Sequence, residues 1–498
     1  MILMSFVSFF PIFIADNLLD RDVNLVIGPL TGVNSLQDYY DIFITKALTD
    51  IQPVRDIFLL LDIQLTKLIG FQVFGISNWI IWILCCLVAE KIALKYSPSS
   101  PITKILLLIL ACHPMLAWVI SWPLAKKHLL ASLFCLLASL KAVEFKEEQE
   151  ETGFLIFLFF FLALLSQPIL IFWPVVFFFY LGKKKTELRS IKLLTVLFLS
   201  SLMIGLITLF YYSKLLPLYF GMTITQPPFF YGASQRLFAF SRAYTQVLLP
   251  LSFSGNYSLV NPLGFIGLPL LSVILIAKLK DYKKALFFLL LISYPLLSAN
   301  TKITSVFLSD TYLVSSLLGV FLLLSYKPNR TSKMGFIFFA LVLIYAVPKS
   351  LYESKIASNE SSYLLKSYTR EPECKNIISL SEYMLRVAKI EDFIHYSGIS
   401  LKNRCFLKGF NPQFMINDLY AFRVFFDENL STESKLESFR KNKFISPDVL
   451  YLQIVLLHKL DRTEDAQKFT SELPIEALKY KEAIKKIIES ECSVCPKI

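Results

Sequence analysis

A handful of side chains in this 498-residue sequence have types and settings suited to chemistry. Asp16 stands where the first apolar run, MILMSFVSFFPIFIAD, ends. A carboxylate at a membrane boundary is costly to desolvate, so it either serves a reaction or ends its segment in water, and position alone favours water. Asn17 beside it can hydrogen-bond but takes no proton at neutral pH. Lys126, Lys127 and His128 follow another apolar run, and their charge suits a lipid phosphate; the lysines equally suit anchors that snorkel to the membrane surface. His113, ahead of Pro114 in an apolar run, reads as a satisfied structural histidine or a functional one. Cys85, Cys86, Cys112 and Cys135 lie in apolar runs and read as inert packing residues. Cys374, Cys405, Cys492 and Cys495 lie in polar sequence. There an oxidising compartment allows Cys374–Cys405 and Cys492–Cys495 disulfides, the alternative being four free thiols. The terminal CSVC falls short of the four ligands of a closed zinc site. No Walker A, G-x-G-x-x-G, H-E-x-x-H or G-x-S-x-G pattern occurs, which removes support for nucleotide hydrolysis and zinc proteolysis.

The elements that must carry these groups are apolar helices. Hydrophobic residues make up 55% of the chain and charged ones 18%, with a mean hydropathy of +0.57. That excludes a disordered chain, a collagen-like fibre and a small disulfide scaffold, and argues against an ordinary soluble enzyme. A bilayer crossing needs about 20 apolar residues. Eleven candidate spans centre on 2–15, 73–92, 104–121, 128–144, 153–166, 168–182, 192–213, 262–277, 284–299, 309–326 and 334–348. The first lacks a basic leader and a small-residue cleavage site, so it reads as a retained helix rather than a signal peptide. The fifth and sixth are split only by Gln167 and Pro168. Neither an internal repeat nor a charge pair within the spans is evident, which disfavours a transporter.

The net charge of +12 does not point to nucleic acid, because Lys and Arg sit in short tufts between apolar runs. The loops 183–192, 278–284 and 327–333 are basic and fall on one side, which the positive-inside rule makes cytoplasmic. The 16–70 loop holds eight Asp against Arg21, Lys46, Arg55 and Lys67, and belongs outside. An odd number of spans puts the polar region after residue 348 outside as well. The fold class is therefore an all-α polytopic membrane protein: a membrane domain over 1–348 and an extracytoplasmic helical domain over 349–498. Within the first outer loop, Val54, Ile57, Phe58, Leu61, Leu65 and Leu68 follow helical spacing, and Pro53 suits a helix start. This amphipathic helix either lies in the membrane interface or packs as a soluble helix on the protein.

Several ordered motifs resemble one family, the membrane O-mannosyltransferases with transmembrane and tetratricopeptide-repeat (TPR) parts. FIADN (13–17) resembles F-V-x-D-D, and QPVRDIFLLLDIQLTKLIGF (52–71) resembles R-P-L…L-D…L-F-G. CHPMLAWVISWPLAKKHLLASLF (112–134) is similar to H-P-x-x-x-E-x-V-A-W-x-S-G-R-x-D-L-L-A-x-L-F, and LALLSQPILIFWPVVFFF (162–179) to L-A-L-L-S-K-P-x-A-x-x-x-P-x-V-L. AYTQVLLPLSFSGNY (243–257) resembles Y-x-x-x-L-x-W-P-x-x-L-x-x-x-Y, and SDTYLVSSLLGVFLL (309–323) resembles E-R-Y-L-Y-L-P-S-x-G-x-x-L-L. ISPDVLYLQIVLLHKLDRTEDAQKFTSELP (445–474) resembles one degenerate TPR, with Leu450, Ile454, Leu457 and Ala466 at its core spacings and Asp461 in place of the usual Gly.

The resemblance implies a GT-C glycosyltransferase core of about 11 spans that takes a sugar from a polyprenyl-phosphate donor and gives it to a protein, glycan or lipid acceptor, with protein O-glycosylation foremost. Asp16 then matches the first acid of the D-D pair and is the general base. Asn17 replaces the second acid. Lys126 falls at the family's Arg and, with Lys127 and His128, would meet the lipid phosphate; His113 matches the family histidine. The pattern also departs from the family. Its later acids are Trp118 and His128 here, its R-P is Gln52-Pro53, and its E-R-Y is Asp310-Thr311-Tyr312. The alternative is a catalytically inactive GT-C-like scaffold whose C-terminal helical domain binds protein partners. No tightly bound cofactor is expected. The acidic first loop either binds a hard divalent cation or is solvated surface charge.

Overall fold

A computed structural model describes residues 1–15, 30–33, 35, 37–38, 52–96, 100–144, 150–168, 173–181, 188–220, 314–325, 333–370, 374–402, 413–440, 447–472 and 481–491, with a few isolated positions between 241 and 270. Among them the regular structure is helical, with no strand. Among the described residues four helices are long and apolar enough to cross a bilayer: Phe74–Lys95, Pro123–Glu144, Ser190–Ile207 and Phe336–Ala357. The chain is a membrane protein. The expected span 284–299 and nearly all of 262–277 lie outside the described residues, as do most of the three basic loops.

The chain divides into two compact units, Met1–Tyr212 with Pro227–Tyr363 and Ser213–Gln226 with Leu364–Ile498. The first begins with α1 (Ile2–Phe13), α2 (Pro53–Ile69), α3 (Phe74–Tyr96), α4 (Pro101–Ala111), α5 (Leu116–Ser121) and α6 (Lys126–Glu144). It continues with α7 (Glu150–Ser166), α8 (Trp173–Leu181), α9 (Leu188–Phe220) as far as Tyr212, α10 (Val314–Ser325) and α11 (Lys333–Ala357). Packing follows membrane rules, in which small residues let backbones approach. Ala131, Cys135, Ala138 and Ala142 on α6 cluster with Ile156, Phe160 and Ala163 on α7. At Gly75 on α3 a Cβ would lie 3.0 Å from Ile12 Cγ2, so the end of α1 presses on the start of α3. Gly70, at φ +82°, closes α2 in the left-handed conformation and donates its N–H to the carbonyl of Thr66, letting α3 begin four residues later.

The third expected span, 104–121, is not continuous. It is two helices, α4 and α5, with a break at Cys112–Met115. A break inside a bilayer frees backbone groups that find no water there, so neighbours must satisfy them. Ser5 Oγ on α1 donates to Ala111 O at 2.9 Å, and Ser350 Oγ on α11 donates to Cys112 O. The ring of His113 closes the other side: its Nδ1 accepts the Met115 N–H at 3.3 Å. The sequence shows only a Leu-rich run with one Pro, so this division was not visible in it. The eleventh span likewise does not stop at 348. α11 passes through Pro348 to Ala357 and brings a charge pair into a membrane helix, Lys349 Nζ to Glu353 Oε1 at 2.9 Å, where no such pair was expected. The Glu353 side chain is fully buried.

The second unit holds most of α12 (Glu360–Arg370), then α13 (Cys374–Arg386), α14 (Ile390–Lys402), α15 (Gln413–Phe425), α16 (Thr432–Arg440), α17 (Pro447–Lys459), α18 (Thr463–Glu472) and α19 (Lys481–Glu491). Its core joins Ile378, Leu385, Phe393, Phe422, Tyr451 and Ile484. Two helix pairs turn through left-handed residues. Ala388 (φ 56°) sits between α13 and α14, and Asp461 (φ 56°) between α17 and α18. In both turns an N–H reaches back five residues to a carbonyl, Lys389 to Met384 at 2.8 Å and Arg462 to Leu457 at 3.0 Å. Asp tolerates this conformation because its short side chain hydrogen-bonds locally. Leu450, Ile454, Leu457 and Ala466 are all buried in this core.

Replacing Ser350 by Ala removes a donor from a buried carbonyl at the α4–α5 break. Thermal unfolding in detergent should show a loss of about 1–3 kcal/mol, whereas an unchanged midpoint would mean that the carbonyl is satisfied without it.

Candidate functional site

The densest set of buried charges lies on the inner face of α2. Gln52 caps the helix and Pro53 begins it. Asp56, in the first turn, points back. Its Oδ2 accepts the Gln52 N–H at 3.3 Å and its Oδ1 accepts Arg55 Nε at 2.7 Å. The Arg55 guanidinium also lies 2.6 Å from Asp56 Oδ1, and both side chains are fully buried. A carboxylate in a first helical turn gains from the helix dipole as well as from its cation. Gln52 Nε2 donates to Gln167 Oε1 at 2.7 Å, fastening the start of α2 to the chain just beyond α7.

Two turns further along α2, Asp62 Oδ2 lies 2.8 Å from Lys126 Nζ, with neither side chain more than 4% exposed. Lys126 opens α6 and also donates to Ser77 Oγ on α3 at 2.6 Å. The next residue, Asn78, donates through Nδ2 to Trp122 O at 2.9 Å and lies 3.3 and 3.4 Å from the carbonyls of Ile120 and Val119. Leu59 and Ile63 fill the gaps between the charges, packing with Phe74 and Leu124. The Trp118 ring stacks on Trp122 at 5.8 Å and on Tyr363 at 4.1 Å. Burial holds the Asp62 carboxyl above its ordinary value of 3.8, and the charge and hydrogen bonds of Lys126, with Ser77, offset only part of that shift.

The expected site residues distribute as follows. The description ends at Ala15, so Asp16 and Asn17 lie outside it. Lys126 is buried and bound to Asp62, Lys127 is half-buried, and His128 is 5% exposed. His113 is buried in the α4–α5 break, with one ring nitrogen engaged by the backbone. Cys374 begins α13, and Cys405, Cys492 and Cys495 lie outside the described residues. Cys85, Cys86, Cys112 and Cys135 are free thiols, all buried. Among the described residues no group of three or more His, Cys, Asp or Glu is placed to hold a metal ion.

Arg55, Asp56, Asp62, Ser77 and Asn78 escaped sequence reasoning. Their signal was present: positions 55, 56, 59, 62 and 63 share one helical face. It is masked because the polar face of an amphipathic helix usually meets water, a setting in which the loop's aspartates are solvated charge. Chemically the arrangement is balanced. Arg55 and Asp56 pair within α2, while Asp62, Lys126 and Ser77 fix α2 against α6 and α3. No family model, curated protein or solved structure matches the chain.

Breaking such a pair leaves one charge buried and alone, which costs about 3–5 kcal/mol, whereas replacing both partners by apolar groups is often neutral. Asp62→Leu and Lys126→Met should therefore each lower the thermal midpoint in detergent, and the double variant should be more stable than either. Additive losses would contradict the pairing. The pH dependence has a definite sign. Between 3.8 and its raised value, native Asp62 holds a proton that the unfolded chain has released. Its contribution to stability then falls as pH rises through that window and returns as pH drops. Denaturant titrations across this range should show that slope, and Asp62→Asn should remove it.

Proposed function

We propose that this chain is a membrane glycosyltransferase of GT-C type, which moves a sugar from a polyprenyl-phosphate donor to a hydroxyl of an extracytoplasmic acceptor, with protein O-glycosylation the leading case. The observation that carries the reading is the anchoring of the first loop. α2 is tied by buried charges to the starts of α3 and α6, and the end of α1, which leads to Asp16, packs on the start of α3. A loop helix tied in this way to two membrane helices supplies a fixed floor for a reaction between a lipid-borne donor and a soluble acceptor. The ordered resemblance from residue 13 to 323 supports the same reading.

In this scheme the acceptor oxygen attacks the anomeric carbon from the face opposite the phosphate. The bond from that carbon to the phosphate oxygen breaks, and the configuration inverts. Asp16 accepts the hydroxyl proton, and the bonding pair leaves with the polyprenyl phosphate. Asn17 orients the acceptor by hydrogen bonding. Lys126 holds Asp62, so the charge of the departing phosphate falls to Lys127 and His128, as oriented cations and donors at a leaving group require. The topology that goes with this scheme has about eleven spans and an extracytoplasmic C-terminal unit, in which the α17–α18 pair is a TPR-like repeat that docks a protein partner.

One observation favours a second reading, a non-catalytic scaffold of the same fold: the lysine at the family's arginine position is neutralised by Asp62. The two part at Asp16. Membranes carrying the Asp16→Asn chain should lose transfer from polyprenyl-phosphate mannose by at least about 100-fold at unchanged protein level, the scale of a lost general base. Equal transfer by the variant, or none by the parent chain with any polyprenyl-phosphate hexose, would favour the scaffold.

A further inference from the structure

We infer that the outward face of α2 is a lipid-contacting surface, seated among acyl chains at the headgroup boundary of the bilayer that the long helices cross. The sequence left two settings open for this helix, and burial separates them. Ile57, Leu61, Leu65, Leu68 and Ile69 are 45–81% exposed, while Arg55, Asp56 and Asp62 are at most 3% exposed. A helix packed on a protein in water has the reverse pattern, with its apolar stripe inside and its charges out. The fourth charge of α2, Lys67, stays at the surface and donates to Thr31 O at 3.3 Å.

The occupant follows from continuity. The left-handed turn at Gly70 joins α2 directly to α3 through Phe71, which is 48% exposed. α3 then carries exposed Ile80 and Leu84 along a helix long enough to span the membrane. α1, packed on the same end of α3, exposes Phe10 and Ile14. The apolar face of α2 therefore adjoins faces that already belong to lipid. Ile57, Leu61, Leu65 and Leu68 recur every three or four positions, with Ile69 beside them, which makes a stripe suited to half-sinking a helix that lies in the membrane plane. A second copy of the chain or a protein partner would interrupt that continuity. The inference is independent of the transfer reaction and stands or falls apart from it.

The test places a fluorescent non-canonical residue at position 61, 65 or 68 of the full chain, reconstituted in phosphatidylcholine nanodiscs. Shallow doxyl-labelled lipid should quench all three sites at least about twofold while aqueous iodide leaves them nearly unchanged, as expected for a helix at the headgroup boundary. The same residue at exposed position 433 should respond to iodide and not to the lipid. Iodide quenching without lipid quenching at 61 and 65 would make this a water-facing surface. Self-quenching that rises with the number of chains per disc, with no lipid quenching, would make it a contact between copies. Either result overturns the inference, and three separate positions guard against one that disturbs folding.

Discussion

Lys126 is buried in a bundle of apolar helices, and an ammonium there needs an anion. Asp62 supplies it, and much of the described membrane unit is arranged by that requirement. The carboxylate has to be carried inward by a helix that lies over the starts of α3 and α6. That fixes the rotation of α2 about its axis, and the rotation in turn directs Leu61 and Leu65 outward. Ser77 takes a further hydrogen of the ammonium, and Asn78 next to it ties down the carbonyls at the end of α5. One ion pair thus links the orientation of α2, the opening of α6 and the ending of α5.

The same economy governs the α4–α5 break. Away from water, a carbonyl released by a helix interruption is paired by whichever helix is nearest. Here that falls to Ser5 and Ser350, from opposite parts of the chain. Glu353, one turn beyond Ser350, is buried with Lys349, whose stem follows the helix and whose amine also lies 5.1 Å from the centre of the Tyr352 ring. Ser5, Asp62, Ser77, Asn78 and Ser350 are therefore cross-links between helices, and their positions record which helices touch.

The fold was legible where one signal dominates. Long apolar runs marked α3 and α6, Pro53 marked a helix start, and the 54–68 spacing marked α2. It was obscured where two signals compete. The Cys112–Met115 break hides in a Leu-rich run because its compensation, Ser5 and Ser350, is more than a hundred residues away in sequence. Pro348 looks like a stop, yet α11 carries on, since neighbouring helices can tolerate the bond it removes. The candidate site was partly legible for the same reason. Lys126 was picked out by its charge beside an apolar run, but nothing local announces that its partner is Asp62, sixty-four positions earlier. Asp16 and Asn17 rest on sequence resemblance alone.

The most direct measurement is an experimental map of the chain in a lipid nanodisc, resolved at the side chains of α2 and α6. The account predicts the Asp62 carboxylate within about 3 Å of Lys126 Nζ, as a charge-assisted contact requires, with Leu61 and Leu65 directed at lipid. A map in which Lys126 faces solvent, or in which Arg55 and Asp62 meet water while Leu61 and Leu65 pack inward, would contradict it.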